Sequence, residues 1–149
     1  RPCKGARAMK ILDTCILSET IKPRPNKKLL FWLNEQKNEE LYLTSFTIGE
    51  IKRGIEKLES STKKHSLLLW LMKLLDVYSD RILDFDKETA LVWANLYNEA
   101  EKTGTKPPLM DSLIAAISHQ HNASLVTFNK KDFQNLNIRV IHAPFSIDF

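Results

Sequence analysis

The 149-residue sequence predicts a three-layer α/β/α fold built on a mainly parallel central sheet of about five strands. Three observations carry this. Short apolar runs of strand length recur along the chain. Amphipathic stretches of helical spacing separate them, which is the connection that parallel strands require. The length suits one domain, whose folding buries roughly 68–70% of the surface of the unfolded chain.

The elements follow in order. Lys10-Ile11-Leu12-Asp13 forms a first strand ending in an acid. Pro23 and Pro25 interrupt the chain, after which Leu29, Leu30 and Leu33 begin a short helical face. Glu40-Leu41-Tyr42-Leu43-Thr44 reads as the second strand. Ile48, Ile51, Ile55 and Leu58, spaced three and four apart, predict an amphipathic helix over Phe46 to Glu59. Ser60-Ser61-Thr62 ends it and caps the next helix, which runs through Leu67 to about Tyr78. Arg81 to Phe85 is a third strand, and Asp86 caps a helix through Lys102 that Gly104 and Pro107-Pro108 stop. Met110 to His121 is a compact Ala-rich helix. Ser124 to Thr127 and Ile138 to Ile141 are the last two strands, joined by a loop starting at Asn129.

Composition narrows the function classes. The longest apolar run, Leu67 to Met72, falls far short of the ~20 residues of a membrane-spanning helix. The net charge of +4 invites a nucleic-acid reading, but it is unevenly placed. Residues 1–8 hold three basic residues and no acid, lack periodicity, and precede Met9. They read as an appended leader, with residues 9–149 as a single domain. Without those three charges the body carries +1, so net basicity argues nothing. Cys3 goes with the leader and leaves Cys15 unpaired. A lone thiol and no export signal point to a reducing cytoplasm.

The informative charges are acidic. Parallel sheets bind ligands beyond the carboxyl ends of their strands. Asp13 closes the first strand, Glu50 is expected in the first turn of the helix after the second, Asp111 in the first turn of the Ala-rich helix, and Asp132 just after the fourth strand. Clustered carboxylates repel one another unless a cation sits between them. Oxygen donors without His or Cys suit Mg²⁺ or Mn²⁺ rather than zinc. Structural readings stand beside this one. Glu50 follows Thr47 at capping-box spacing, Asp111 complements a helix dipole, and Asp132 suits a turn. Asp13 is hardest to explain structurally, since a carboxylate ending an apolar strand is partly buried and wants a cation or strong donors.

Ile11-Leu12-Asp13-Thr14-Cys15-Ile16-Leu17-Ser18-Glu19 resembles the opening motif of PIN-domain ribonucleases, close to the toxin subunits of VapBC- and FitAB-type toxin–antitoxin pairs. Further matches are Thr47 to Ile55, Asp111 to Ala116, and Val126 to Phe133, in family order along nearly the whole body. The resemblance implies a Mg²⁺-dependent endoribonuclease with a PIN-like fold. By motif position, Asp13, Glu50, Asp111 and Asp132 form the catalytic quartet, Asp13 and Asp111 hold the metal, and Thr14, Thr127 and Asn129 support them. Water activated at the metal would attack in line and leave a 5′-phosphate and a 3′-hydroxyl. The implied partners are RNA, a small VapB- or FitA-like antitoxin covering the active site, and a second copy of the chain. In two departures, Cys15 replaces a common Asn, and Phe128 a frequent Arg.

Among the basic residues near these motifs, Arg53 and Lys130 are the candidates for gripping RNA phosphates. Gly49 to Gly54 has P-loop glycine spacing, but Ile55-Glu56 follow in place of Lys and Ser/Thr. His119 and His121 do not share a helical face, which argues against zinc. The pattern places no His to activate Cys15 as a nucleophile. Trp32, Trp70 and Trp93 read as core or interface residues. The Leu67–Met72 run is wider than one buried face and is a candidate partner surface. The alternative to a nuclease is a PIN-like module that binds RNA or protein without cutting.

Overall fold

A computed structural model describes residues 8–143 of the chain. Residues 1–7, which hold Cys3 and most of the expected leader, lie outside the described residues, as do 144–149. The strands are β1 (Lys10–Leu12), β2 (Leu41–Thr44), β3 (Ile82–Leu83), β4 (Ser124–Thr127) and β5 (Arg139–His142). The helices are α1 (Thr14–Thr20), α2 (Lys27–Glu35), α3 (Ser45–Glu56), α4 (Thr62–Val77), α5 (Lys87–Lys102) and α6 (Leu109–Gln120). Two 3-10 turns, Asn38–Glu40 and Lys130–Phe133, lead into β2 and follow β4.

The five strands form one sheet in the order β3-β2-β1-β4-β5, with every pair parallel. Ile11 lies opposite Tyr42 on one side and Leu125 on the other. Side chains alternate between the two faces of a strand, and the buried residues divide accordingly. Leu12, Leu43 and Val126 pack with Ile16, Leu29, Ile51, Ile55, Leu71 and Leu74 from α1 to α4. Ile11 and Leu125 pack with Leu96, Ala100 and Ile114 to Ile117 from α5 and α6. This is the expected three-layer arrangement, and it explains why the central strands read as continuous apolar runs.

Several helix ends follow from local chemistry. Asp86 and Thr89 form a reciprocal capping box at the start of α5. Ser61 accepts from the Lys64 N–H at 3.1 Å and caps α4. Gly104 takes φ +88° just past α5, a conformation in which a Cβ is strained.

The sequence reading missed α1. Asp13 opens it, and Ile16 and Leu17 bury its inner face. Buried Glu19 then ties the turn that follows. Its Oε2 accepts from the Asn26 N–H at 2.9 Å and its Oε1 pairs with Lys22 at 2.8 Å. Asn26 in turn caps α2 by accepting from the Leu29 N–H. Pro23 and Pro25 therefore separate two short helices, where the sequence reading placed a helix only after them. The third strand is also shorter than expected, reduced to Ile82–Leu83 at the sheet edge.

Candidate active site

β1 and β4 are neighbours at the centre of the sheet, while β2 lies on the other side of β1. Such a point, where strand order reverses, opens a crevice beyond the carboxyl ends. Asp13 follows β1 at this crevice, and Thr127 ends β4.

Asp13 is only 6% exposed and is held from several directions. Its Oδ1 accepts from the Thr14 backbone N–H at 2.9 Å, and its Oδ2 accepts from the Thr127 hydroxyl at 2.8 Å. The Cys15 Sγ lies 3.7 Å from the same Oδ2. Burial pushes the Asp13 carboxyl up from its ordinary range. The Thr127 and Thr14 hydrogen bonds oppose that, and the nearby Asp132 charge adds to it. Thr127 is buried, and its Oγ1 accepts from the Asn129 N–H at 3.0 Å. Its single hydroxyl hydrogen is therefore free to serve Asp13.

Glu50 differs from expectation. α3 begins at Ser45, so Glu50 lies in the second turn and not the first. The cap is Thr44, whose Oγ1 accepts from the Thr47 N–H at 3.2 Å. The Thr47–Glu50 spacing is therefore not a capping box. Glu50 Oε1 instead accepts from the Thr14 hydroxyl at 2.6 Å, a contact spanning 36 positions of sequence. Thr47, fully buried, lies beside it, with its Oγ1 at 3.2 Å from Thr14 Oγ1 and 3.3 Å from Thr44 Oγ1. The sequence reading took Thr47 as the cap and assigned no role to Thr44. Their spacing of three and six residues ahead of Glu50 is the signal that would have found them.

Asp111 sits in the first turn of α6, as expected. Its carboxyl is pushed up to about 7. Burial is the largest cause, followed by the charges of Asp13, Asp132 and Glu50 and by a hydrogen bond with Asp132. All three of the other acids thus act on this one group. Asp132 rides on the 3-10 turn after β4, anchored by buried Phe133 and by its own N–H donating to the Asn129 carbonyl at 3.0 Å.

The remaining candidates take distinct places. Asn129 contributes its backbone N–H, while its side chain makes no capping bond. Arg53 and Lys130 are exposed, the first one turn beyond Glu50 on α3. Cys15 is a free, half-buried thiol pushed up to about 11 by burial and by the Asp13 charge, so it stays neutral. Trp93 is half-buried and donates its ring N–H to Ser112 Oγ at 2.9 Å, a structural role. His119 meets the Asn137 carbonyl at 2.9 Å, away from the acids.

The donor set of the crevice is carboxylate and hydroxyl oxygen with one neutral thiol. Asp13 and Asp111 are raised by burial and by neighbouring carboxylates, and a hard divalent cation would supply the missing counter-charge. Asp13 and Asp111 are the residues that could hold such an ion. Among the described residues, no group of three or more His, Cys, Asp or Glu side chains is arranged to hold a metal ion.

A PIN-domain family model matches residues 10–138. The chain belongs to the PIN-domain family. This PIN domain is 30% identical over 135 residues to toxin FitB of Neisseria gonorrhoeae, covering 90% of this chain and 97% of that protein. It is 27% identical to VapC ribonuclease Y4jK of Sinorhizobium fredii, covering 90% and 96%. Among solved structures it resembles FitAcB from Neisseria gonorrhoeae, with 30% identity, a TM-score of 0.87, and 91% and 98% coverage. A structure of FitAB bound to an IR36 DNA fragment gives 28% identity and a TM-score of 0.88, covering 95% of this chain and all of that one.

Proposed function

We propose that this PIN domain is a divalent-cation-dependent endoribonuclease and the toxin of a toxin–antitoxin pair, acting in the cytoplasm. The observation that carries the reading is Asp111, whose carboxyl reaches about 7 because it is buried among the charges of Asp13, Asp132 and Glu50. Three acids from separate elements act on this one carboxyl, which supports a nuclease over a merely well-capped fold. Asp13 and Asp111 would hold Mg²⁺ or Mn²⁺, whose preference is for oxygen ligands.

Held by Asp13 and Asp111, such a cation would lower the pKa of the attacking water and offset charge on the scissile phosphodiester. The chain's own contribution is orientation. Thr14 and Thr127 lock the two oxygens of Asp13, and Thr14 also fixes Glu50. Arg53 and Lys130 are exposed and would meet RNA phosphates. In-line hydrolysis leaves a 5′-phosphate and a 3′-hydroxyl.

Similarity to toxin FitB and to VapC ribonucleases supports a FitA- or VapB-like antitoxin as partner; a second copy of the chain is part of the same proposal. Leu69 and Met72 on α4 are exposed, in keeping with a partner surface on the Leu67–Met72 run. Among the described residues, no helix is long and apolar enough to cross a membrane.

The test is cleavage of a structured RNA with Mg²⁺, with EDTA, and with the Asp13→Asn variant. Cleavage that needs Mg²⁺ and disappears in the folded variant is the expected result. Full cleavage by Asp13→Asn overturns the assignment of the site. Binding without cleavage by the unaltered protein supports the non-cutting module instead.

A further inference from the structure

We propose that the bond from Trp93 to Ser112 does more than join α5 to α6: Trp93 is a positioning residue for Asp111, acting through Ser112. The proposal rests on the nuclease reading above and deepens it. Among the described residues, each of the other five helices opens on a side chain that accepts from a backbone N–H of its first turn. α6 opens on Pro108, which makes no side-chain capping bond. The first N–H groups of a helix have no acceptor within it, so a first turn without a cap frays readily. This is the turn that carries Asp111, and the charges of Asp13, Asp132 and Glu50 all bear on that carboxyl. Like charges repel. The acid pushed from most sides therefore sits on the helix start with the least local support.

Ser112 supplies the missing hold. Its backbone N–H donates to the Pro108 carbonyl at 3.0 Å, and its hydroxyl donates to the Leu109 carbonyl at 2.6 Å. A carbonyl only accepts, so the one hydroxyl hydrogen is spent there. Ser112 Oγ in turn accepts from the Trp93 ring N–H at 2.9 Å. An indole N–H only donates, so both bonds of this relay have a fixed direction. Asp111 lies between Leu109 and Ser112 in the chain, and the relay closes the turn around it. Ser112 is fully buried, so water has no access to replace the indole as donor. Trp93 is itself held by the core layer of α5 and α6 and by the Tyr97 ring, with centroids 5.3 Å apart. α5 thus sets where the first turn of α6 stands, and with it the place of Asp111.

Trp93→Phe deletes the donor and keeps an aromatic ring in the core, while Ser112→Ala deletes the relay at its centre. In metal-free protein, hydrogen exchange at the residue 112 amide is expected to speed up about 10-fold in either variant, as for one lost hydrogen bond. Exchange at the far end of α6 stays unchanged. Mn²⁺ affinity (read by electron paramagnetic resonance) and kcat each fall about 10-fold, as for the loss of a partner that orients a metal ligand. KM for RNA stays near its original value.

The deciding measurement is a double-mutant cycle on Mn²⁺ affinity. If Trp93 acts through Ser112, the variant carrying both substitutions again loses about 10-fold, not about 100-fold, because both break one relay. Unchanged Mn²⁺ affinity in folded Trp93→Phe, or losses that multiply in the double variant, overturn the proposal. If Trp93→Phe fails to fold, Ser112→Ala carries the metal measurement, and unchanged affinity there is the overturning result. An unaltered protein that neither binds Mn²⁺ nor cleaves overturns the nuclease reading itself, and the positioning role with it. A protein that binds Mn²⁺ and cleaves but is indifferent to both substitutions overturns the positioning role alone.

Discussion

Thr127 hands its only hydroxyl hydrogen to Asp13 Oδ2 at 2.8 Å, joining the ends of two adjacent parallel strands across 114 positions of sequence. The same oxygen of Thr127 accepts from the Asn129 N–H, so the bond has a fixed direction. One buried side chain thus ties the strand carrying the first acid to the turn carrying the last.

Thr127→Val is predicted to leave Asp13 Oδ2 without its strongest donor. The expected cost is about 1–3 kcal/mol of stability, the usual range for an unsatisfied buried polar group. Denaturant unfolding measures it. RNA cleavage falls by about 10- to 100-fold, the range for lost outer partners of metal ligands. A variant with unchanged cleavage would show that Asp13 needs no help from β4.

In the metal-free protein, stability is predicted to fall as pH rises. Asp111 has a folded-state pKa of about 7, well above the ordinary carboxylate value of about 3.9. Between those values the folded chain binds the proton and the unfolded chain does not, so the stability gained at low pH is lost as pH rises through about 7. Asp13, also raised, acts in the same direction. Thermal midpoints in EDTA should therefore drop between pH 5 and pH 8, and Asp111→Asn should flatten that slope. A midpoint that rises over this interval contradicts the electrostatics of the site.

Cys15 is predicted to alkylate slowly in the native protein. Its thiol is pushed up to about 11, whereas a free cysteine titrates near 8.5, so at pH 8 the reactive thiolate is scarcer by about 100-fold or more. Peptide mapping after iodoacetamide treatment separates Cys15 from Cys3. Equal modification rates in native and unfolded protein would place the thiol elsewhere.

Glu19→Ala is predicted to destabilise the fold by about 1–3 kcal/mol, since the Asn26 N–H loses its acceptor and Lys22 its partner. The damage is confined to the α1–α2 turn, so Mg²⁺-dependent cleavage per folded molecule stays at the original level. A selective loss of cleavage would mean that this turn helps shape the crevice.

The order of elements and the parallel sheet were legible because apolar periodicity is a direct imprint of burial. Leu12 and Val126 face one layer, and Ile11 and Leu125 the other. The acids were legible because carboxylates at the ends of strands and in first turns have few structural uses together. α1 was not legible. It is seven residues long, and its start is set by Asp13, which also belongs to the site. The true α3 cap was hidden because Thr44 and Thr47 both precede Glu50 at spacings that local rules accept.

The crevice is drawn from both ends of the chain. Asp13, Thr14 and Glu50 come from its first third, and Asp111, Thr127 and Asp132 from its last. A polypeptide still on the ribosome and lacking β4 has no Thr127 to hold Asp13 and no Asp132 beside Asp111. The candidate site is therefore complete only once β4 and the turn after it have been made.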